Sequence, residues 1–464
     1  MIEMSVSQYA GIAVTMLILI GISVLSGRSV HGSGDFQGTS RRSSTAVVMG
    51  AISGTIIGGS STIGTAQLAY TYGVSACWYT LGSTVACLLF GLVYSRPLYA
   101  HSETTAPGII QREFGHTAGL LASVINAGGM LTALIAQIIS AVAVWAIVFP
   151  SMPRAGAMAL TLALITAYVI FSGVRGVGLI GVFKLVLLYL AVCGGGCIAY
   201  WKMGGLRGIL SEPVFRQGRF FDLLARGWST DIGAGLSAVF GCLSSQSYIQ
   251  AIWSGRTLAC SRRGAVASAL MIPPIGLGGV LIGLYMRANH PGLSSGTVAL
   301  PYFLAANTPP VIGGVVLGAV LITVIGASAG IALGISSIIS NHLIRVKDDR
   351  LGLRLSRMYI VLLLAAAACL STGGLGDMIL DYSFLGLGIR AVSCVIAVTA
   401  ALFWPGKCGR RLMLATMIVG PAAIFVSDLL DCPVDPLMMG FAVSLSFLGA
   451  GMVLQRLSER RIRR

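Results

Sequence analysis

Apolar stretches long enough to cross a bilayer recur along almost the whole chain, from Tyr9 to Leu454. A backbone exposed to lipid must satisfy its own hydrogen bonds, and apolar stretches of this length do so as helices. At about 20 residues per crossing, the pattern predicts thirteen spans: 8–26, 45–72, 74–95, 117–149, 155–173, 176–201, 232–254, 265–286, 311–343, 357–371, 380–404, 409–427 and 435–455. No stretch of soluble-domain length is left between them, so the expectation is an all-α polytopic membrane protein with 1–464 as one domain. Composition agrees, since 56% of the 464 residues are hydrophobic and only 10% are charged, a balance foreign to ordinary soluble domains. The opening MIEMSVSQYAGIAVTMLILIGISVLSG lacks the basic start and small-residue cleavage site of a secretory signal and reads as a retained first helix.

The net charge of +16 needs a location before it needs a partner. Alternate loops differ sharply: one side collects Arg41, Arg42, Arg112, Arg262, Arg263, Lys347 and the five arginines of the tail RLSERRIRR, while the other holds few basic residues outside the long mixed-charge loop 202–231. Basic loops mark the cytoplasmic face, so the N-terminus is expected outside and the C-terminus inside a plasma or bacterial inner membrane. The charge then reports orientation, and membrane lipid rather than nucleic acid is the implied neighbour. Ten cysteines are scattered without a CxxC pair, and the five histidines fall in loops or at helix ends, which suggests neither a metal nor a haem site.

Three spans look unfit for a continuous lipid-facing helix. Ala51 to Tyr72 reads AISGTIIGGSSTIGTAQLAYTY, Gly233 to Ser254 carries Ser244, Ser245, Gln246, Ser247, Tyr248 and Gln250, and Ile322 to Ser340 is small and weakly polar throughout. Irregular backbone at membrane depth survives only where it is buried in protein or lines a cavity, and in transporters such breaks hold the substrate and ion sites. Close packing by small residues is the competing explanation. An interrupted first helix in each of two five-helix units predicts an inverted repeat, 45–201 and 232–404, with 8–26 as an extra helix and 409–455 as C-terminal additions.

Lys184 stands alone in the apolar stretch Gly176 to Trp201. An ammonium near the bilayer centre costs about 2.5–3.5 kcal/mol on insertion scales, so such a group is a functional candidate unless its head snorkels to an interface. It lies roughly 12 Å in from Gly176 at helical rise. Arg390, in SFLGLGIRAVSCVIAV, poses the same choice between a second buried positive charge and snorkelling.

In order along the chain, DFQGTSRR, GAISGTIIGGSSTIGTAQLAYTYGVSACW, TTAPGIIQREFG, SSQSYIQAIWSGRTLACSRRGA and TVALPYFLAANTPPVIGGVVLGAVLITVIGASAGIALGISSIISNHLIR resemble the sodium/solute symporter family, whose members have a LeuT-type core of five plus five helices. The resemblance spans most of the chain. It implies transport by alternating access, usually driven by sodium, with no cofactor beyond a coupling sodium ion or proton and a small-molecule solute as partner; no enzyme activity and no oligomeric state follow from it.

The resemblance places the sodium site at backbone carbonyls corresponding to Gly54 and Ile57, plus a hydroxyl pair in the ninth span. Counting back from Asn341 puts that pair at Ile325 and Gly326, and a slide of two residues reaches only Ser328. In the sixth span, GVRGVGLIGVFK sets Gly181 and Lys184 where many relatives have Asp and Gln. All 15 acidic residues lie in loops or near helix ends, Asp231 and Asp381 closest to the membrane core, so the expected partners of Lys184 are carbonyls of the interrupted helices. By analogy with sodium-independent transporters of this architecture, Lys184 replaces the ion, and desolvation, which disfavours a charged lysine, makes proton coupling feasible. The alternative is an ordinary sodium symporter using other oxygens, for example Ser328, Ser336 and Ser337.

The same resemblance gives a central cavity lined by Ser60, Ser61, Thr62, Thr65, Gln67, Asn126, Gln137, Ser245, Gln246, Tyr248 and Gln250. These groups are neutral, and with Lys184 nearby and no acid they favour an anionic or zwitterionic small polar solute over a cation. A membrane sensor with a transporter-like input domain is the rival of another class. An ion channel would want a ring of charges or carbonyls from several subunits, and an enzyme a constellation of His, Asp, Ser or Cys at depth.

Overall fold

The computed structural model describes residues 4–27, 41–101, 103, 105–216, 218–340, 349–372 and 378–462, with backbone alone at 19, 22–27, 170–180, 349–350, 352–353 and 454–462. Asn341, and the side chains of Arg28, Arg175, Arg345, Lys347, Arg350 and the tail arginines, lie outside the described residues. The helices that frame the molecule are α1 (Val6–Gly27), α2 (Thr45–Ile56), α3 (Thr65–Tyr72), α4 (Trp78–Leu89), α5 (His116–Val148), α6 (Arg154–Leu188), α7 (Trp228–Leu243), α8 (Gln246–Ser254), α9 (Leu258–Met271), α10 (Pro273–Asn289), α11 (Pro310–Ile338), α12 (Asp349–Ser371), α13 (Ile379–Arg390), α14 (Ile396–Phe403), α15 (Arg410–Leu429) and α16 (Pro436–Ile462). Among the described residues nine helical runs are long and apolar enough to cross a membrane, and Val6–Ile18, Thr45–Ile56 and Arg154–Val169 are shorter apolar helices. The expected span 232–254 is in neither set, because it is broken.

Two of the three expected interruptions are present, and each has a local cause. Helix α2 ends at Ile56, and Ile57 turns to ψ 92°. The break then passes Gly58 and Gly59 into a single π-helical turn, Ser60–Gly64, before α3 resumes. Its backbone donors go to side chains: Gly58 N–H to Ser61 Oγ at 3.0 Å and Gly59 N–H to Gln137 Oε1 at 2.7 Å. Only glycine fits at 59, since a Cβ there would lie 2.2 Å from Ser140 Oγ. The second break separates α7 from α8 at Ser244 and Ser245, where Asn126 Nδ2 donates to the Ser244 carbonyl at 2.6 Å. In both breaks, buried side chains take over hydrogen bonds that water cannot supply.

The third expected interruption, 322–340, is absent. Helix α11 runs unbroken from Pro310 to Ile338 and is buried almost throughout. Its small residues serve contact instead: a Cβ on Gly314 would lie 2.1 Å from Gln8 O, one on Gly318 2.8 Å from Thr15 Cβ and one on Gly330 2.3 Å from Thr55 Oγ1. Glycine and alanine on every face let α11 be the shared axle against which α1, α2, α5, α6, α8 and α12 pack. A second correction concerns 155–173 and 176–201. The chain passes from one to the other without leaving helical backbone, as α6 and then through a π-helical turn, Tyr189–Cys193, to Lys202.

Candidate functional site

Helix α6 reaches the first break because two glycines let it lie directly on α2. A Cβ at Gly181 would be 1.9 Å from Gly50 O, and one at Gly54 would be 2.9 Å from the Gly181 Cα. One turn on from Gly181, Lys184 therefore enters the break with 1% of its surface exposed. Its Nζ donates to Gly54 O, to Ile57 O at 3.0 Å and to Thr323 O at 3.1 Å. A lysine ammonium has three N–H donors, and three carbonyls meet them. The Gly54 carbonyl is available because the break strands it: Gly58 N–H, which an unbroken helix would give to Gly54, goes to Ile56 O and Ser61 Oγ instead, whereas the Thr323 carbonyl comes from the continuous α11.

The cradle revises the α11 side of the expected ion site. Gly326 borders it, with a Cβ placed there 3.4 Å from Lys184 Nζ. Ile325 is not among the ammonium's three acceptors, and Ser328 Oγ donates to Val324 O of its own helix at 2.8 Å. The group that α11 contributes is the Thr323 carbonyl. A register slide of two residues toward Thr323, opposite to Ser328, reaches it, but the contact is to the backbone carbonyl while the Thr323 hydroxyl donates to Ala319 O, so its residue type gave no signal.

The polar residues assigned to a central cavity fall into separate groups. Ser60 Oγ lies 2.7 Å from Ser383 Oγ and accepts from Gln137 Nε2 at 3.4 Å, joining the first break to α5 and α13. Ser61, Thr62 and Thr65 donate to backbone carbonyls of their own segment, Gly58, Gly58 and Ser60. Gln67 Oε1 accepts from Ile379 N–H at 3.1 Å, at the start of α13. Around the second break, Asn126 holds the Ser244 carbonyl, Ser245 Oγ accepts from Arg390 Nη1 at 3.0 Å, and Gln246 and Gln250 tie α8 to Ala106 N–H and to Ser337 Oγ. Tyr248 is buried with its ring edge-on to Phe90. Ser383 was missed, although it stands seven residues before Arg390, two turns along one helix face. Arg390 itself does not snorkel: it is 2% exposed.

The two carboxylates nearest the membrane core serve a different cation. Arg226 Nε lies 2.8 Å from Asp231 Oδ1, with Asp231 fully buried, and Arg226 Nη1 is 3.7 Å from Asp381 Oδ1. Among the described residues no carboxylate pairs with Lys184 or Arg390.

A bundle of apolar helices, two of them broken and meeting buried cations, belongs to the class of LeuT-fold membrane transporters, and comparison with solved structures agrees. The fold matches a Na+-coupled sialic acid symporter in a substrate-bound outward-open state with a TM-score of 0.82 at 16% identity, covering 98% of each chain. It also matches a nucleobase-cation-symport-1 family transporter in a closed conformation with bromovinylhydantoin bound (TM-score 0.60, 16% identity, 91% of this chain and 95% of that one). A third match is an Eremococcus coleocola manganese transporter (TM-score 0.52, 14% identity, 90% and 94%). No curated protein matches the chain by sequence. The family is nonetheless defined: the sodium:solute symporter family model matches residues 36–420, and the chain belongs to that family.

Proposed function

We propose that this protein is a secondary active transporter of a small polar organic solute, anionic or zwitterionic, in which the Lys184 ammonium occupies the place of a coupling sodium ion between α2 and α11. The observation that carries this reading is the convergence of the Gly54, Ile57 and Thr323 carbonyls on one Nζ. A cation held by carbonyls of a broken helix and of the helix facing it links the two, as a metal ion does. A second cation in the same cradle would meet a like charge at contact distance, with no acid paired with Lys184 among the described residues to offset it. Loss of the lysine proton removes the link, so coupling to protons, or uniport or exchange without sodium, follows. The neutral hydroxyls and amides around Ser60, Gln137 and Ser383 support an uncharged binding wall for the solute's polar body. Segments 45–201 and 232–404, each headed by a broken helix, are the two units that would rock against each other, with the N-terminus outside and the C-terminus cytoplasmic.

The test is uptake or ligand-induced stabilisation with the purified chain in liposomes, comparing sodium with choline at several pH values, for wild type and Lys184→Gln. Sodium-independent activity that varies with pH and changes its pH profile in the variant is expected. A Lys184→Gln variant that transports normally with an unchanged profile overturns the reading.

A conventional sodium symporter is the second reading, favoured by the family's sodium coupling. The structure of the sialic acid symporter reveals a novel Na+ site in that protein, and an ion bound away from Lys184 would reconcile sodium with the filled cradle here. The serine hydroxyls expected to serve such an ion are engaged elsewhere: Ser328 on its own helix, Ser336 on the Ser356 carbonyl and Ser337 with Gln250.

A further inference from the structure

Arg390 is a buried cation without a counter-charge among the described residues. Its helical run, Ile379–Phe403, places it roughly 16 Å from one end and roughly 20 Å from the other at helical rise, so the head cannot reach an interface. Of its five N–H donors, one from Nε goes to Gly386 O at 2.9 Å and one from Nη1 to Ser245 Oγ at 3.0 Å. Both acceptors are neutral, and three donors remain without an acceptor among the described residues. Among the described residues no carboxylate stands within ion-pairing distance. Burying a charge without a counter-charge is among the most costly arrangements a protein can hold.

At the second break the buried Asn126 Oδ1 is an acceptor without a partner among the described residues, while Ser245 and α8 offer donors. Ser245 accepts from Arg390 and so keeps its own hydroxyl proton for a further partner. The same residue is the N-cap of the nine-residue α8, and its side chain does not cap that helix, so the positive end of α8 opens beside the guanidinium. A close approach of α13 to α5 sets the arginine there: a Cβ on Gly129 would lie 2.8 Å from Arg390 Cγ and 2.5 Å from Gly386 O. Guanidinium, hydroxyl and helix N-terminus at one break form a donor set that suits a carboxylate, with the two-pronged geometry arginine offers.

We propose that Arg390, with Ser245 at the start of α8, anchors a carboxylate of the transported solute. This rests on the transport reading above and narrows its solute to carboxylates. It does not depend on what Lys184 does. The solute's carboxylate supplies the missing counter-charge, and its arrival and departure at the second break couple occupancy to the seam between α8, α5 and α13.

Thermal melting of the purified chain tests this with a panel of short hydroxy-, keto- and amino-carboxylates, their primary amides, and chloride. Carboxylates should stabilise wild type while the matching amides and chloride do not. In Arg390→Gln the carboxylate concentration required should rise about thirtyfold or more, and Arg390→Lys should fall between the two. Amides or chloride that stabilise as well as carboxylates, a panel without a stabilising carboxylate, or full retention in Arg390→Gln would overturn the proposal. A ligand-free measurement guards against misfolding: Arg390→Met should melt at or above wild type, since an uncompensated charge has been removed, and a clear fall would make the arginine a structural strut. Lys184→Gln should keep the preference for carboxylate over amide, so failure here and failure of the lysine reading are distinguishable.

Discussion

Lys184 and Arg390 are both buried cations beside a broken helix, yet their surroundings differ in one respect. Three donors of the lysine meet three carbonyls, whereas five donors of the arginine meet two neutral acceptors. A saturated ammonium leaves nothing for a ligand to bind, and its energy goes into holding α6, α2 and α11 together. An unsaturated guanidinium stores unmet demand that a ligand can satisfy. Arg226 is the control on the loop side, a cation given a buried carboxylate of its own in Asp231. The contrast separates a cation whose donors are all met from a cation whose donors are met only in part.

Removing the saturated cation is expected to have the largest effect. Lys184→Ala removes the donor that meets the Gly54 and Ile57 carbonyls at the break, and should cost about 4 kcal/mol of stability, read as a fall in melting temperature. The emptied cradle should then become a sodium site, so sodium chloride should raise the melting point of this variant and not of wild type. A variant indifferent to sodium would mean that the carbonyls alone do not form the ion's site.

Gly181→Ala comes next, because its Cβ would collide with the Gly50 carbonyl and lift α6 from α2. About 3 kcal/mol is the expected loss, and the effect should be strongly non-additive with Lys184→Ala, since both open the same contact. Full additivity in a double-mutant cycle would place the glycine's role elsewhere.

Gln137→Leu removes the acceptor of Gly59 N–H and should cost about 2 kcal/mol. In transport assays it should impair solute binding while leaving the pH profile unchanged, and a shifted profile would merge the polar group around Ser60 and the lysine cradle into one site. Smallest of all is Ser328→Ala, expected within about 0.5 kcal/mol of wild type because its hydroxyl only bonds back along its own helix. A sodium response present in wild type and lost in this variant would revive the conventional ion site.

Much of the site was legible in the chain. The run of Gly, Ser and Thr around Gly58 and the polar cluster at Ser244 to Gln250 marked both breaks, because helices at membrane depth carry such residues only with a reason. A lone lysine amid apolar residues marked the ammonium, and the absence of nearby acids pointed to carbonyls. The α11 partner was not legible: every residue has a carbonyl, and only the packing of α11 selects that of Thr323. Helix α11 misled for a related reason. Small residues permit a break and a tight contact equally, and the pattern does not say which.

Repeated membrane crossing, the places where two helices fail, and the cost of burying Lys184 and Arg390 follow from composition and hydropathy, since these are properties of residues against lipid. Which carbonyls meet the lysine, why Gly181 is needed to bring it there, and that Arg390 ends beside Ser245 with donors to spare were decided by the tertiary structure. Those outcomes depend on helices approaching to within backbone contact of each other, a distance set by the whole bundle and written in no single stretch of sequence.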